Sequence, residues 1–212
     1  MAESLIEFKG VAARIGVATI LRDVDLTVSA GESVGLFGAN GAGKTTLLRV
    51  LATLLPPSAG TARVLSADLN EHERYEIRPQ IGLIGHSPAL YPELSLLANL
   101  EFSARIAGVS RAAAAQALPD VGLGGASTRP AGESSYGMQR RAEFAREIML
   151  APDLLLLDEP HSALDPSAIE LVEHIVAGVL DREGAVVLVS HDIEKVASMV
   201  TRTAELAGGT VR

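Results

Sequence analysis

The stretch from Gly38 to Thr45 constrains this chain more than any other feature, because its glycines and its lysine stand at fixed spacing. It reads Gly38-Ala39-Asn40-Gly41-Ala42-Gly43-Lys44-Thr45 and fits the pattern G-x-x-x-x-G-K-S/T in full. The short apolar run Ser33 to Phe37 precedes it, and leucines at helical spacing follow in Thr45 to Leu55. A strand, a glycine-rich loop and a helix in this order predict a phosphate-binding loop in an α/β fold.

Each residue type in such a loop has a chemical task. Glycines turn successive N–H groups inward to form a nest for phosphate oxygens, and the helix that follows adds its partial positive charge. Lys44 can reach the β- and γ-phosphates, the Thr45 hydroxyl can bind Mg²⁺, and Thr46 is expected to support the α-phosphate. A glycine-rich turn that merely precedes a lysine is the alternative, and the flanking strand and helix weigh against it. The predicted nucleotide-binding residues are Gly38, Asn40, Gly41, Ala42, Gly43, Lys44, Thr45 and Thr46.

Two carboxylates follow a second apolar run. Leu154 to Leu157 predict a buried strand that ends in Asp158-Glu159-Pro160. A carboxylate at a strand tip can hold Mg²⁺, which prefers oxygen ligands, and Asp158 fits that role. Glu159 would then face the γ-phosphate and polarise the attacking water as a general base. The alternative is that these acidic residues only mark where the strand reaches the surface.

Composition limits the classes of protein that remain. The chain has 212 residues, of which 48% are hydrophobic and 21% charged, as in a single globular domain. It contains no cysteine, which excludes a disulfide framework and a thiolate metal site. Its formal charge of -8 argues against nucleic acid as a partner. The N-terminus lacks an apolar signal core, and no run of apolar residues is long enough to span a membrane.

Short strands and helices alternate along the chain. Leu5 to Phe8, Leu21 to Val28, Thr61 to Leu65, Gln80 to Ile84 and Val186 to Val189 are the further predicted strands, and Asp165-Pro166 is expected to start a helix. From residue 88 to 150 the pattern is helical and broken by loops, with a helix expected from Gln139 to Leu150. We therefore expect a layered α/β domain over 1–212 with a helical subdomain inserted at 88–150.

These motifs together resemble the ATPase subunits of ATP-binding cassette (ABC) transporters, over the whole chain. Ser162-Ala163-Leu164-Asp165 resembles the family's D-loop, which touches a partner subunit, and His191 matches its switch histidine, which contacts the γ-phosphate. The resemblance implies an ABC-type phosphate-loop ATPase fold, with a mixed-sheet core and an N-terminal antiparallel β portion. It also implies Mg-ATP hydrolysis, with Glu159, His191 and Lys44 as catalytic residues and with Thr45 and Asp158 at the metal.

The family's signature, Leu-Ser-Gly-Gly-Gln, corresponds here to Ser134-Ser135-Tyr136-Gly137-Met138. Ser135 and Gly137 are kept, and a serine hydroxyl with backbone N–H groups at a helix start makes an anion site. In the family this site caps the γ-phosphate bound by the opposite subunit. The resemblance thus implies a second ATPase subunit, most simply a homodimer, and integral membrane transporter subunits as partners.

Two further positions depart from the family pattern. The aromatic ring that usually stacks on adenine is absent, and Ile15 is the expected replacement, so we expect loose base recognition and tolerance of GTP. His86 stands where the Q-loop glutamine is usual and is expected to sense the γ-phosphate more than to hold the metal; the alternative is an ordinary loop residue. The stretch from Gly85 to Ser95 resembles the ATP-binding subunit of haem exporters in cytochrome c maturation, and in the family this stretch contacts the membrane subunits.

The sequence therefore predicts the ATPase subunit of an ABC transporter, cytoplasmic and peripheral on the inner face of the cell membrane. Haem export is the finer expectation, and export of another substrate is its alternative. A soluble ABC ATPase that acts on DNA, ribosomes or iron–sulfur assembly is a second alternative. The lack of heptads weighs against a DNA-acting protein, and the lack of a second cassette weighs against a ribosome-acting one. The third is a regulatory subunit that binds ATP without turning it over, which the altered signature and His86 favour.

Overall fold

A computed structural model describes residues 3–160, 166–192 and 196–212 and divides the chain into two compact units. Unit 1 comprises Met1–Leu83, Pro152–Pro160 and Val176–Arg212. Unit 2 comprises Ile84–Ala151 and His161–Ile175. The expectations for Ser162 to Asp165, as a D-loop and as a helix start, lie outside the described residues.

An antiparallel sheet forms the N-terminal part of unit 1. Its strands are β1 (Ser4–Ile15), β2 (Ala18–Ser29), β4 (Ala59–Val64) and β5 (Ala67–Asp68), in the order β2-β1-β4-β5. The spacing of buried residues in β2 is uneven, because Asp23 has a positive φ of 50° at an irregularity in the β1–β2 register. The irregularity lets Leu21 and Val24 both reach the core, although a regular strand would place them on opposite faces.

The second sheet of unit 1 is mixed and has six strands. They are β3 (Ser33–Phe37), β6 (Ile81–Ile84), β7 (Leu154–Asp158), β8 (Ala185–Val189), β9 (Arg202–Ala207) and β10 (Thr210–Val211), in the order β10-β9-β3-β8-β7-β6. Strand β3 is parallel to β8 and β9, β7 is parallel to β8, and β10 is antiparallel to β9. Every residue of β7 and β8 is buried, as their unbroken apolar sequences predict.

The first helix, α1 (Lys44–Leu51), is shorter than its leucine spacing predicts. We expected it to reach Leu55, but Thr53 adopts a left-handed conformation with φ 60°. Arg78 holds this turn, with Nε 2.8 Å from Thr53 Oγ1 and Nη2 2.9 Å from its carbonyl oxygen. The helix therefore ends where a distant arginine stabilises the turn.

Unit 2 contains three helices whose first residues are fixed by serines. Helices α2 (Leu96–Ala107), α3 (Arg111–Asp120) and α4 (Tyr136–Leu150) have Ser95, Ser110 and Ser135 as N-caps. The expectation that α4 begins at Gln139 is wrong. It begins at Tyr136, because the Ser135 hydroxyl accepts a hydrogen bond from the Met138 N–H at 3.3 Å.

The last helix, α5 (Pro166–Leu180), begins at a proline, as expected for a first-turn position. Strands β9 and β10 are additions that the sequence did not predict. Among the helices of the described ranges, none is both long and apolar enough to cross a bilayer.

Candidate functional site

Two glycines of the loop after β3 are required, one by its backbone conformation and one by its close approach to the backbone of another strand. Gly43 has φ 109°, and an added Cβ would lie 2.9 Å from Leu21 Cδ2. A Cβ on Gly38 would lie 2.2 Å from the carbonyl oxygen of Leu206 on β9. The glycines therefore allow a tight loop between β3 and α1, as the motif predicts.

Lys44 lies against this loop and not in solvent. Its side chain is largely buried, and Nζ donates to the carbonyl oxygens of Gly38 at 2.6 Å and Ala39 at 3.2 Å. These neutral acceptors satisfy the ammonium group, and phosphate oxygens would give stronger, charge-assisted bonds. The lysine is thus held within the loop that surrounds it.

Two oxygen ligands suited to Mg²⁺ meet beside the loop. Thr45 Oγ1 donates to Asp158 Oδ2 at 2.9 Å, although 113 residues separate them in sequence. Asp158 ends β7 and is only 5% exposed. No cluster of three acidic or histidine ligands occurs in residues 3–160, 166–192 and 196–212. A hydroxyl and one carboxylate nevertheless fit Mg²⁺, which takes few protein ligands when phosphates and waters complete its shell.

Glu159 and His191 form a pair at the tips of β7 and β8. His191 Nδ1 lies 2.8 Å from Glu159 Oε2. Glu159 has a positive φ of 51°, and its N–H donates to the Val189 carbonyl oxygen at 2.9 Å. An uncommon backbone conformation, fixed by the neighbouring strand, therefore aims the carboxylate at the histidine. The His191 side chain is 66% exposed, which leaves the ring accessible to a ligand.

His191 also lines a pocket with the glycine-rich loop. The pocket has a volume of about 460 Å³ and is lined by Phe37, Gly38, Ala39, Asn40, His191 and Glu205. The first residues of the loop and the histidine thus share one cavity in unit 1.

Ile15, the residue expected to contact the adenine base, lies at the turn between β1 and β2. Its side chain is 47% exposed, and Val17 at the same turn is 91% exposed. Further along β2, Leu21 packs against Gly43 of the loop. The turn offers aliphatic side chains and no aromatic ring.

In unit 2, Ser135 and Gly137 stand at the start of α4. The Ser135 side chain is exposed, and nothing lies within 4 Å of a Cβ added to Gly137. The helix start therefore presents a hydroxyl and an unobstructed backbone, which is the chemistry of an anion site.

His86 lies in the segment that follows β6, also in unit 2. Its ring is exposed and makes no hydrogen bond in the part of the chain that the structure describes. Its backbone is held tightly: the His86 carbonyl oxygen accepts from Tyr136 Oη and from Arg140 Nη2, both at 2.9 Å.

Comparison with known proteins identifies the family. The sequence pattern of the family described as ABC transporter matches residues 21–162, more than half of the chain. The chain belongs to the ABC transporter family. A solved ATP-binding subunit of an ABC transporter superposes with a TM-score of 0.89 at 27% identity, covering 98% of this chain and 88% of that one. The predicted ABC-type ATPase fold is thereby confirmed.

A second solved ABC structure contains a bound nucleotide. The ATP-binding cassette MJ0796, a dimer bound to ADP and Pi, superposes with a TM-score of 0.87 at 27% identity, over 98% of this chain and 96% of that one.

The similar ABC proteins have varied names. The daunorubicin/doxorubicin resistance ATP-binding protein DrrA of Streptomyces peucetius is 38% identical over 89% of this chain, which spans 58% of that protein. The cytochrome c biogenesis ATP-binding export protein CcmA 2 of Cupriavidus metallidurans is 34% identical, over 90% of this chain and 91% of that protein. The macrolide export protein MacB of Rhodopseudomonas palustris is 36% identical over the whole of this chain, which spans 34% of that protein.

The structure brings in residues that sequence reasoning missed. Ser190 Oγ lies 3.5 Å from Glu159 Oε2 and accepts from the Asp192 N–H at 3.1 Å, so it braces the Glu159–His191 pair. Its place directly before His191 was the available signal. Glu205 reaches the pocket because β9 is the neighbour of β3, and β9 itself was not predicted. Tyr136 and Arg140 had no sequence signal for their contacts with the His86 backbone.

Proposed function

We propose that this chain is the ATP-hydrolysing subunit of an ABC transporter. Three features converge at one edge of the mixed sheet, and this convergence carries the proposal. These are the glycine-rich loop with Lys44, the Thr45–Asp158 pair and the Glu159–His191 pair. Each supplies a different need of phosphoryl transfer to water: charge, metal ligation and a base.

In this mechanism Lys44 exchanges its loop carbonyls for β- and γ-phosphate oxygens. Thr45 and Asp158 would hold Mg²⁺, which when bound would supply positive charge beside the phosphates. Glu159 accepts a proton from the attacking water, and His191 fixes the orientation of its carboxylate through the 2.8 Å contact. Ile15 contacts the base by aliphatic packing alone, so we propose weak selection between ATP and GTP.

We propose that the complete site needs two subunits. Ser135 and Gly137 of one subunit cap the γ-phosphate bound by the other, using the open start of α4. The segment 88–150 then acts as an inserted helical subdomain that presents this cap. The dimeric cassette bound to ADP and Pi, similar over nearly the whole chain, supports the arrangement.

A docking surface for membrane subunits is proposed on unit 2. Tyr91 and Phe102 are 53% and 41% exposed and pack edge to face, with ring centroids 5.1 Å apart. Leu94 and Phe102 line a pocket together with Glu101, Arg105 and Arg111. A pocket lined by both apolar and charged side chains suits an amphipathic helix of a partner. The protein is then peripheral on the cytoplasmic face of a membrane.

Haem export for cytochrome c maturation is the finer proposal for the transported substrate. Its support is the Gly85-His86-Ser87-Pro88 segment and the relative CcmA 2, which matches along 91% of its own length. Relatives of similar identity that are named for daunorubicin resistance and macrolide export support the alternative, a different substrate.

Phosphate release from the purified chain with Mg-ATP, measured across protein concentrations, tests the proposal. Turnover should rise more than linearly with protein concentration, because two chains complete one site. Glu159→Gln should lower kcat by about 100-fold or more, since it removes a general base while keeping the contact with His191. Lys44→Ala should abolish turnover through lost phosphate binding.

Glu71→Gln is the matched control, because Glu71 is an exposed glutamate of unit 1 remote from the loop. It should leave turnover unchanged. Equal turnover in Glu159→Gln and the wild type would refute the assignment of the base. ATP binding without turnover, even after membranes containing the partner are added, would instead identify a regulatory ATP-binding subunit.

A further inference from the structure

The backbone of the His86 segment is held by side chains from α4. Arg140 Nη1 donates to the Gly85 carbonyl oxygen at 2.7 Å, and Nη2 donates to that of His86 at 2.9 Å. Glu143 Oε1 accepts from the Ala89 N–H at 2.9 Å. Three backbone groups within five residues are therefore fixed by one helix.

Arg140 and Glu143, the two side chains that hold this backbone, are both buried. Both side chains are 0% exposed and form an ion pair at 2.9 Å. Four of the five guanidinium N–H groups find acceptors, while Nε has none among the described residues. Removing either partner would leave a buried charge unpaired, which is strongly destabilising. Arg140 and Glu143 therefore cannot be tested cleanly by truncation.

Tyr136 adds a further donor from the first turn of α4. Its hydroxyl donates to the His86 carbonyl oxygen at 2.9 Å and accepts from Arg140 Nη2 at 3.0 Å. The Tyr136 hydroxyl, Arg140 Nη2 and the His86 carbonyl oxygen therefore form a closed triangle of hydrogen bonds. Tyr136 is 37% exposed, so its hydroxyl can be removed without opening a cavity.

The His86 ring, by contrast, has no anchor of its own among the described residues. Because the ring makes no hydrogen bond there, its position depends on where its backbone is held. Tyr136 stands directly beside Ser135 and Gly137, which face the opposite subunit's phosphate in the proposed dimer. The contact therefore joins the start of the signature helix to the backbone of His86.

We propose that Tyr136 is a positioning residue that sets the His86 side chain for its action on the nucleotide. This inference rests on the proposed function and on the expectation from the sequence that His86 senses the γ-phosphate. Two departures from the family pattern here form one contact: a tyrosine in place of the signature's first glycine, and a histidine in place of the Q-loop glutamine. A glycine at position 136 could make no such bond.

Tyr136→Phe in the full-length protein is the test, because it deletes one hydroxyl and keeps the ring and the Arg140–His86 bond. Loss of the Tyr136–His86 hydrogen bond, and of the Arg140–Tyr136 bond with it, predicts a roughly threefold to tenfold lower kcat, with KM for ATP unchanged. Tyr75→Phe is the matched control. Its hydroxyl is also bonded to an arginine, with Arg74 Nη2 at 2.7 Å, but it lies in unit 1 outside the proposed site. It should leave kcat as in the wild type.

A double variant separates positioning from general stability. If Tyr136 acts through the His86 ring, Tyr136→Phe should have no further effect on kcat in a His86→Ala background, where the ring is absent. An equal loss in both backgrounds would show that Tyr136 acts by another route. An unchanged kcat in Tyr136→Phe alone would also overturn the proposal.

A spectroscopic measurement decides the matter independently of turnover. The ring resonances of His86, assigned with His86→Ala, should shift or broaden in Tyr136→Phe and stay in place in Tyr75→Phe. An unmoved His86 resonance would overturn the positioning role even if the wild type hydrolyses ATP. A moved resonance in a chain without turnover would uphold the positioning role while contradicting the ATPase proposal.

Discussion

In the proposed site, a single side chain, Ile15, at the turn between β1 and β2 contacts the base. It is about half exposed and aliphatic, and neighbouring Val17 is almost fully exposed. Arg14 Nη2 donates to the Val17 carbonyl oxygen at 3.1 Å and so closes the turn. Aliphatic packing gives a purine ring no stacking and no hydrogen bond, so the proposed site predicts that nucleotide affinity comes mainly from phosphate contacts.

Ile15→Tyr should therefore tighten nucleotide binding. A ring that stacks on the base adds about 1 kcal/mol, which corresponds to a roughly fivefold lower Kd for ATP by titration calorimetry. GTP should gain about as much, because stacking is tolerant of base identity. Val17→Tyr, which adds the same ring at the same turn, should leave the Kd unchanged. Tighter binding by Val17→Tyr alone would assign the base contact to Val17.

Helix α4 concentrates buried charge in a single element. Burial raises the pKa of Glu143, against the lowering effects of the Ala89 N–H, Arg146 and Arg140. Burial also raises the pKa of Glu147, against its ion pair with Arg146 at 2.8 Å. One carboxylate oxygen of Glu147 has no hydrogen-bond partner among the described residues. The helix thus carries a carboxyl group that favours the protonated form in the folded state.

Glu147→Gln should make the protein less sensitive to rising pH. A raised folded-state pKa contributes stability at low pH, and this contribution is lost as pH rises from the ordinary glutamate value, about 4.3, through the folded-state value. The variant lacks this loss, so its Tm relative to the wild type should increase from pH 4.5 to pH 8. At this chain length each kcal/mol corresponds to about 2–4 °C.

Glu76→Gln, at an exposed glutamate of unit 1, is the control for Glu147→Gln and should give a Tm difference that does not change with pH. A Tm difference that stays constant or shrinks with rising pH in Glu147→Gln would contradict the inferred direction of the pKa shift.

At the scale of the whole molecule, the proposed contact with membrane subunits rests on the surface chemistry of unit 2. The chain carries a formal charge of -8, and none of its described helices can span a membrane. Unit 2 exposes Tyr91, Leu94, Phe102 and Ile106, the last at 70%. Large exposed apolar side chains on α2 and on the segment before it, with charged side chains beside them, are typical of an interaction surface.

Phe102→Asp should release the chain from its membrane partner. A charge placed without a partner in an apolar contact should weaken binding by at least about tenfold, measured by co-purification with membrane subunits and by partition into the membrane fraction. Leu54→Asp changes a 58% exposed leucine of unit 1 in the same way and should have no effect. Basal ATP hydrolysis of both purified variants serves as the check on folding. Equal membrane association of the two variants would remove the surface from the proposal.

The sequence by itself determined the parts of this protein that depend on local pattern. The glycine-rich loop, the buried runs of β7 and β8 and the acidic pair Asp158-Glu159 could all be found because fixed spacing and continuous apolarity are properties of short windows. The family and the layered α/β fold followed from these motifs. The roles of the site residues remain predictions for the experiments above.

Only the tertiary structure decided which distant segments meet. The pairing of Thr45 with Asp158, of Glu159 with His191, and of Tyr136 with His86 joins positions 113, 32 and 50 residues apart. The tertiary structure also decided two local features. Helix α1 ends early because Arg78 holds Thr53, and β2 keeps Leu21 and Val24 on one face through a bulge. No local periodicity encodes such contacts, because they depend on how separate strands and helices pack around a shared core.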